Sequence, residues 1–272
     1  MFKSRLYLFI YFFIHNSMET INAIYTTEVE EYRTGPTTFG ICMATYQRKN
    51  RKSPEYLTAS LQAIMNQTAT NWHLYLVGDK YENHEELVQT ISFFPSDKIT
   101  MVNLPTAPER ENISNVAHLW QVGGSNAFNY SHQLAVHDGC DYILHHDDDD
   151  PFHIKKIQIL NYVLSQYPDP LYLFHYSFHI SNMILPLELI QSLSPNNLQI
   201  KQCNAIHTSI AIHHTIASSF QYDGYRPEKT TYVCGDIQLI KYLEQQLHDT
   251  TKYCIFIPFV LCSHLTEKES WN

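Results

Sequence analysis

The chain has 272 residues, 44% of them hydrophobic, which is enough to bury a substantial core and excludes a disordered or coiled-coil protein. A formal net charge of -9 excludes a general nucleic-acid binder, which needs a concentrated basic surface. The six cysteines, Cys42, Cys140, Cys203, Cys234, Cys254 and Cys262, form no CxxC pair and read as buried free thiols of a reducing compartment, although their even number leaves a disulfide open.

Lys3 and Arg5 precede an apolar run over 6–14, shorter than the about 20 residues that a membrane-spanning helix needs. It has the make-up of a signal-peptide core or an anchor, while Met18 offers an alternative start that would remove it. Membrane association through residues 1–17 is therefore open, as is the choice between the cytoplasm and the secretory pathway. Residues 1–37 are set apart as this segment and a connector, with a single domain expected over 38–272.

The first strand is expected at Phe39–Thr45, followed by a basic cluster, Arg48, Lys49, Arg51 and Lys52, that suits either a phosphate or a solvated loop. Ser53 as N-cap and Pro54 at N1 open a helix carrying Leu57, Leu61, Ile64 and Met65 at helical spacing and ending near Gln67. A strand over 72–77 closes on Gly78-Asp79. Then come a helix over 85–92, a strand over 98–104, a long polar stretch with Pro105, Pro108 and Gly123-Gly124, a helix over 126–136, and a strand at Tyr142, Ile143 and Leu144. Alternating strands and helices imply a doubly wound, mostly parallel α/β sheet. Beyond residue 150 the pattern predicts a helix over 151–165, strands over 171–176, 204–212 and 253–262, and a helix over 235–247.

The most informative stretch is DYILHHDDDDP, residues 141–151, in which a β-prone run ends in four aspartates and a proline. At the carboxyl end of a strand in an open α/β sheet these groups would face a ligand crevice, and four adjacent carboxylates raise one another's pKa unless a cation neutralises them. Residues two apart on extended chain share a side, so Asp147 with Asp149, or Asp148 with Asp150, can approach one divalent ion. The plainer reading makes Asp150 an N-cap and Pro151 the first residue of the next helix.

In order, ICMATYQR at 41–48, LTASLQAIMNQTATNWHLYLVGD at 57–79, NYSHQLAVHDGCDYILHHDDDD at 129–150 and CGDIQLIKYL at 234–243 resemble a nucleotide-sugar glycosyltransferase of the GT-A fold, similar to glycosyltransferase family 2. The resemblance covers most of residues 38–265 and implies a Rossmann-like fold. It implies that Thr45, Tyr46 and Asp79 hold the base and ribose, with Arg48, Asn129 and Asp148 also on the donor side. The DxD-type motif falls on Asp147 and Asp149: the resemblance implies that Asp147 reaches the ribose or the metal, and that Asp147, Asp149 and His264 are the ligands of Mn2+ or Mg2+. Asp236 at a helix start is the implied base on the acceptor hydroxyl, with helix capping as its plainer role.

The activity implied by the resemblance is metal-dependent transfer of a sugar from a nucleotide diphosphate sugar, UDP-linked by expectation, to a glycan, protein or lipid hydroxyl, with inversion. Two departures stand out. Phe128-Asn129 replaces an Arg-Asn pair, leaving Arg48 or Arg110 to supply the cation, and Gly235-Asp236 replaces Glu-Asp. Two rivals remain at this level: a metal-dependent phosphohydrolase built on His146-Asp147, and a non-catalytic nucleotide-sugar-binding module on the same fold.

Overall fold

The computed structural model describes residues 37–179, 207–249 and 253–264. Its centre is one seven-stranded sheet built from β1 (Phe39–Thr45), β2 (Trp72–Gly78), β3 (Ile99–Asn103), β4 (Tyr142–Asp147), β5 (Tyr172–His179), β6 (Ile210–His213) and β7 (Cys254–His264). The strand order is β3-β2-β1-β4-β6-β5-β7. Neighbouring pairs are parallel except those that β6 makes with β4 and β5, so six strands run one way. The expected doubly wound α/β class is what forms.

The helices are α1 (Ser53–Met65), α2 (His84–Ile91), α3 (Pro108–Asn112), α4 (Val116–Val122), α5 (Ser125–His137), α6 (Lys156–Gln166), α7 (His214–Ala217) and α8 (Gly235–Asp249). Alternation along the strands divides the core between the two faces of the sheet. Phe39, Ile41, Met43, Leu74, Leu76 and Leu144 pack with Leu57, Leu61 and Ile64 of α1 and Ile157, Leu160 and Leu164 of α6. Cys42, Tyr75, Ile143 and Ile212 pack on the other side with Phe128 and Ala135 of α5, Ile216 of α7, and Leu239 and Leu243 of α8. Gly40 is required where β1 meets α5, since a Cβ there would lie 2.8 Å from that of Ala135.

Several boundaries differ from the sequence expectation, each for a local reason. Ser53 is the first residue of α1 and Lys52 is its cap, because the Ser53 hydroxyl is taken up accepting the Arg48 amide at 2.6 Å. The helix expected at 151 starts at 156: Phe152 first forms an antiparallel bridge with Cys262, and Gln67 holds the segment. Gln67 Nε2 donates to the His153 carbonyl at 2.8 Å, and its Oε1 accepts from Ile157 N at 3.1 Å. Asp150 is thus no helix cap. The strand expected over 204–212 is, where described, a 3-10 turn at His207–Ser209 followed by β6. Helices α3 and α4 arise inside the stretch that reads as polar loop; Asn115 caps α4, its side chain accepting from Ala117 N at 2.9 Å. Residues 1–17 and Cys203 lie outside the described residues; the other five cysteines are free thiols.

Candidate active site

Strands β2, β1 and β4 lie side by side and parallel, with Thr45 opposite Gly78 and Ala44 opposite Asp147. Their carboxyl ends therefore deliver Thr45-Tyr46, Asp79 and the aspartate row to one edge of the sheet. The chain moves outward from β1 through β2 to β3 and returns to β4 on the other flank of β1, so this edge is the crevice where strand order reverses.

The strand ends at Asp147, and the turn that follows splits the four aspartates by burial. Asp148 and Asp150 are buried, while the side chains of Asp147 and Asp149 keep 26% and 19% of their exposure, which makes Asp147 and Asp149 the outward pair. Asp148 is clamped: Arg48 Nη1 and Nη2 reach its two oxygens at 2.8 and 2.5 Å, and the Thr45 hydroxyl donates to Oδ2 at 2.6 Å. Its carboxylate is engaged inside the protein rather than presented to a donor, and Thr45 shares that work. Arg48 Nη2 also lies 3.1 Å from Asp149 Oδ2. Burial and the flanking carboxylates Asp148 and Asp150 push the Asp149 carboxyl well above the usual range, with Arg48 opposing them. Asp150 accepts the Thr208 hydroxyl at 3.3 Å.

On the β2 side, Asp79 is buried and its Oδ2 accepts from Arg110 Nε at 3.1 Å, while its Oδ1 has no hydrogen-bond partner among the described residues. Burial raises this carboxyl above its ordinary value, with Arg110 pulling the other way. The Tyr46 ring lies 4.7 Å from the Arg48 guanidinium and 5.3 Å from that of Arg110, so one aromatic ring neighbours the cations of both buried acids.

The other flank carries a residue to which the sequence pattern assigns no role. His207 lies in its 3-10 turn with Nε2 2.9 Å from Asp147 Oδ1 and Nδ1 2.7 Å from Asp236 Oδ1, and its backbone N–H donates to the same Asp236 oxygen at 2.7 Å. Burial disfavours the imidazolium, but the two carboxylates outweigh it and push the His207 pKa well above the ordinary value. Burial likewise raises Asp236, yet His207 holds it below the usual carboxylate range. Asp236 occupies the first turn of α8, as expected, but its partners include His207 and, at 3.6 Å, the Cys234 thiol. No local motif marks His207, because its contacts span 60 and 29 residues of chain.

Asn129 is engaged elsewhere: its amide exchanges hydrogen bonds of 2.8 and 2.7 Å with the backbone of Tyr222. Phe128 packs edge-on against His207, with ring centroids 5.3 Å apart. His264 ends β7, two residues past the bridge that joins Cys262 to Phe152, and its side chain lies outside the described residues. The His146-Asp147 dyad is not assembled. His146 points to the opposite face of β4, fully buried with its ring centroid 3.9 Å from that of Phe152.

Among the described residues no group of three or more His, Cys, Asp or Glu is arranged to hold a metal ion. The outward pair nevertheless fits a hard divalent cation in donor chemistry: both are carboxylates at a partly open strand end, and such ions complete their shell with water and phosphate oxygens.

No family model matches the chain. Over 234 residues it is 34% identical to a protein named as an uncharacterized glycosyltransferase of Acanthamoeba polyphaga mimivirus, a match that covers 83% of this chain and 93% of the relative. The chain is a glycosyltransferase. Among solved structures, S. aureus TarS in complex with UDP-GlcNAc superposes with a TM-score of 0.59 at 12% identity, covering 85% of this chain and 59% of TarS. Mannosyltransferase PcManGT from Pyrobaculum calidifontis, in complex with GDP-Man and Mn2+, gives 0.53 at 12% identity, covering 93% and 64%. The glycosyltransferase thus spans about three fifths of the length of these structures, and the likeness is one of fold. That fold is GT-A. The phosphohydrolase and the non-catalytic module receive no support from either comparison.

Proposed function

We propose that this glycosyltransferase moves a sugar from a UDP-sugar to an acceptor hydroxyl, with inversion and with a divalent ion, Mn2+ or Mg2+, at the aspartate row. The observation that carries the reading is the juxtaposition of Asp147 and Asp236 on opposite nitrogens of one imidazole, 2.9 and 2.7 Å away. A carboxylate suited to the acceptor thus lies one side chain from the carboxylates suited to the donor.

On the donor side, Tyr46 offers a face for the base, and the unpartnered Asp79 Oδ1 suits the N–H of a pyrimidine. Asp147 and Asp149 would hold the ion, with His264 as a further ligand contributed by the end of β7. The ion would supply Lewis-acid stabilisation of the charge developing on the diphosphate. Arg48 bonds both Asp148 and Asp149 and so holds the turn that follows Asp147. Asp236 would take the proton of the acceptor hydroxyl as that oxygen attacks the anomeric carbon from the face opposite the diphosphate. PcManGT was captured with GDP-Man and Mn2+, and TarS with UDP-GlcNAc, which supports a nucleotide-sugar donor and a divalent ion here. The acceptor would be a glycan, protein or lipid hydroxyl, and membrane association through 1–17 belongs to the same proposal.

The test is a donor screen with Mn2+ that reads free nucleoside diphosphate with and without an acceptor panel. Release from a UDP-sugar that rises with acceptor and vanishes with chelator is expected. Equal release with chelator would overturn the metal role, and release from GDP-sugars alone would overturn the UDP assignment.

A further inference from the structure

The turn that carries His207 is tied down at several points. Lys156 Nζ donates to the Thr208 carbonyl at 2.7 Å, the Thr208 hydroxyl donates to Asp150, and the backbone N–H of His207 is on Asp236. The ring itself is packed by Phe128 at 5.3 Å, His145 at 5.8 Å and Tyr222 at 6.5 Å between centroids. Its two nitrogens point in opposite directions, each to a carboxylate on a different element, Asp147 at the end of β4 and Asp236 in the first turn of α8. An imidazole suits this task because its donors diverge, whereas a lysine presents one point charge on a flexible stem.

We infer that His207 is a positioning residue that couples the donor half of the site to the acceptor half, fixing the Asp147 carboxylate for the diphosphate and the Asp236 carboxylate for the acceptor hydroxyl in one rigid unit. This rests on the roles proposed above for Asp147 and Asp236. The coupling has a directional consequence. An asparagine amide can occupy the place of Nδ1 and a glutamine amide that of Nε2, so each substitution keeps one half of the bridge and cuts the other.

The experiment measures, for wild type, His207→Asn and His207→Gln, the calorimetric affinity for UDP with Mn2+ and with chelator, the melting temperature, and kcat with the donor found in the screen. His207→Asn is expected to weaken UDP–Mn2+ binding by about tenfold with kcat nearly kept; His207→Gln should keep binding within about twofold while kcat falls by about tenfold or more, the scale of one charge-assisted hydrogen bond. The crossed pattern is the signature, since a merely structural role would move both quantities together. Equal losses in both variants, no loss in either, or unfolding of both would overturn the inference while leaving the glycosyl transfer of the wild type standing. A wild type that neither binds UDP–Mn2+ nor turns over would instead sink the functional reading on which the inference depends.

Discussion

The two flanks of the aspartate row solve the same electrostatic problem with different side chains. Toward β1, Asp148 is locked by a guanidinium whose planar fork reaches both carboxylate oxygens, and neither partner is left exposed. Toward α8, Asp147 and Asp236 share an imidazole that keeps them apart while linking them, and both retain about a fifth or more of their exposure. A closed fork builds a scaffold; a divergent ring links two carboxylates that both stay partly exposed. The first flank is expected to answer mutation in stability, the second in rate.

The largest effect tests the rate flank. A general base contributes about 10² to 10⁴ in rate, so Asp236→Asn should lower transfer by that order while UDP–Mn2+ affinity and melting temperature hardly move, because the amide oxygen still accepts from His207 N. Transfer at the wild-type rate would reduce Asp236 to a structural group. Product analysis by NMR belongs with this measurement, since retention at the anomeric carbon would exclude direct displacement.

On the scaffold flank, Arg48→Ala leaves Asp148 buried beside the row with its fork removed. Breaking such a pair costs about 3–5 kcal/mol, to be read in urea unfolding, and Arg48→Lys should recover only part of it because one ammonium cannot bond both oxygens. Loss of activity with unchanged stability would show that Arg48 serves the donor and not the scaffold.

Within the row itself the comparison sharpens between neighbours. Asp149→Ala should abolish Mn2+-dependent UDP binding, a change of at least about tenfold in calorimetry, and leave the fold intact. Asp148→Ala should do the reverse, lowering the melting temperature first. If the two variants behave alike, the outward–inward division has no functional meaning.

The same division explains what could be read from the sequence. Strands β1, β2 and β4 were legible because each is an apolar β-prone run closed by a turn signal, and their parallel pairing then placed Thr45, Asp79 and Asp147 together. Spacing alone left the choice between the two aspartate pairs open and the resemblance pointed to Asp147 and Asp149; in the structure Asp148 and Asp150 are the buried pair. Gln67 was legible as the end of the helical run of α1 but not as the clasp between α1 and the segment before α6. His207 was hidden among sixteen histidines because its meaning lies in partners distant in sequence. The helix start expected at Pro151 failed because tertiary pairing of Phe152 with Cys262 overrode a capping signal that was locally sound.

The smallest effect tests whether the histidines near the row are all functional. His146 precedes Asp147 yet faces the opposite side of β4, with neither ring nitrogen partnered among the described residues. Burial, helped by Lys156, pushes its pKa down to about 3, while Asp147 opposes the shift. A histidine held neutral in the folded state binds its proton only after unfolding, so between the unfolded value of about 6.5 and pH 3 the unfolded state carries the extra proton and stability falls as pH falls. His146→Leu removes that proton from the balance. Its unfolding free energy should lie within about 1 kcal/mol of wild type at pH 7.5, and the difference should move in favour of the variant by about 1.4 kcal/mol per pH unit below about pH 6. Donor affinity should be unchanged at neutral pH, because the ring contacts Phe152 and no proposed donor contact. A pH-independent difference would show that His146 is accessible to protons in the native state, and a loss of UDP–Mn2+ affinity would return it to the site.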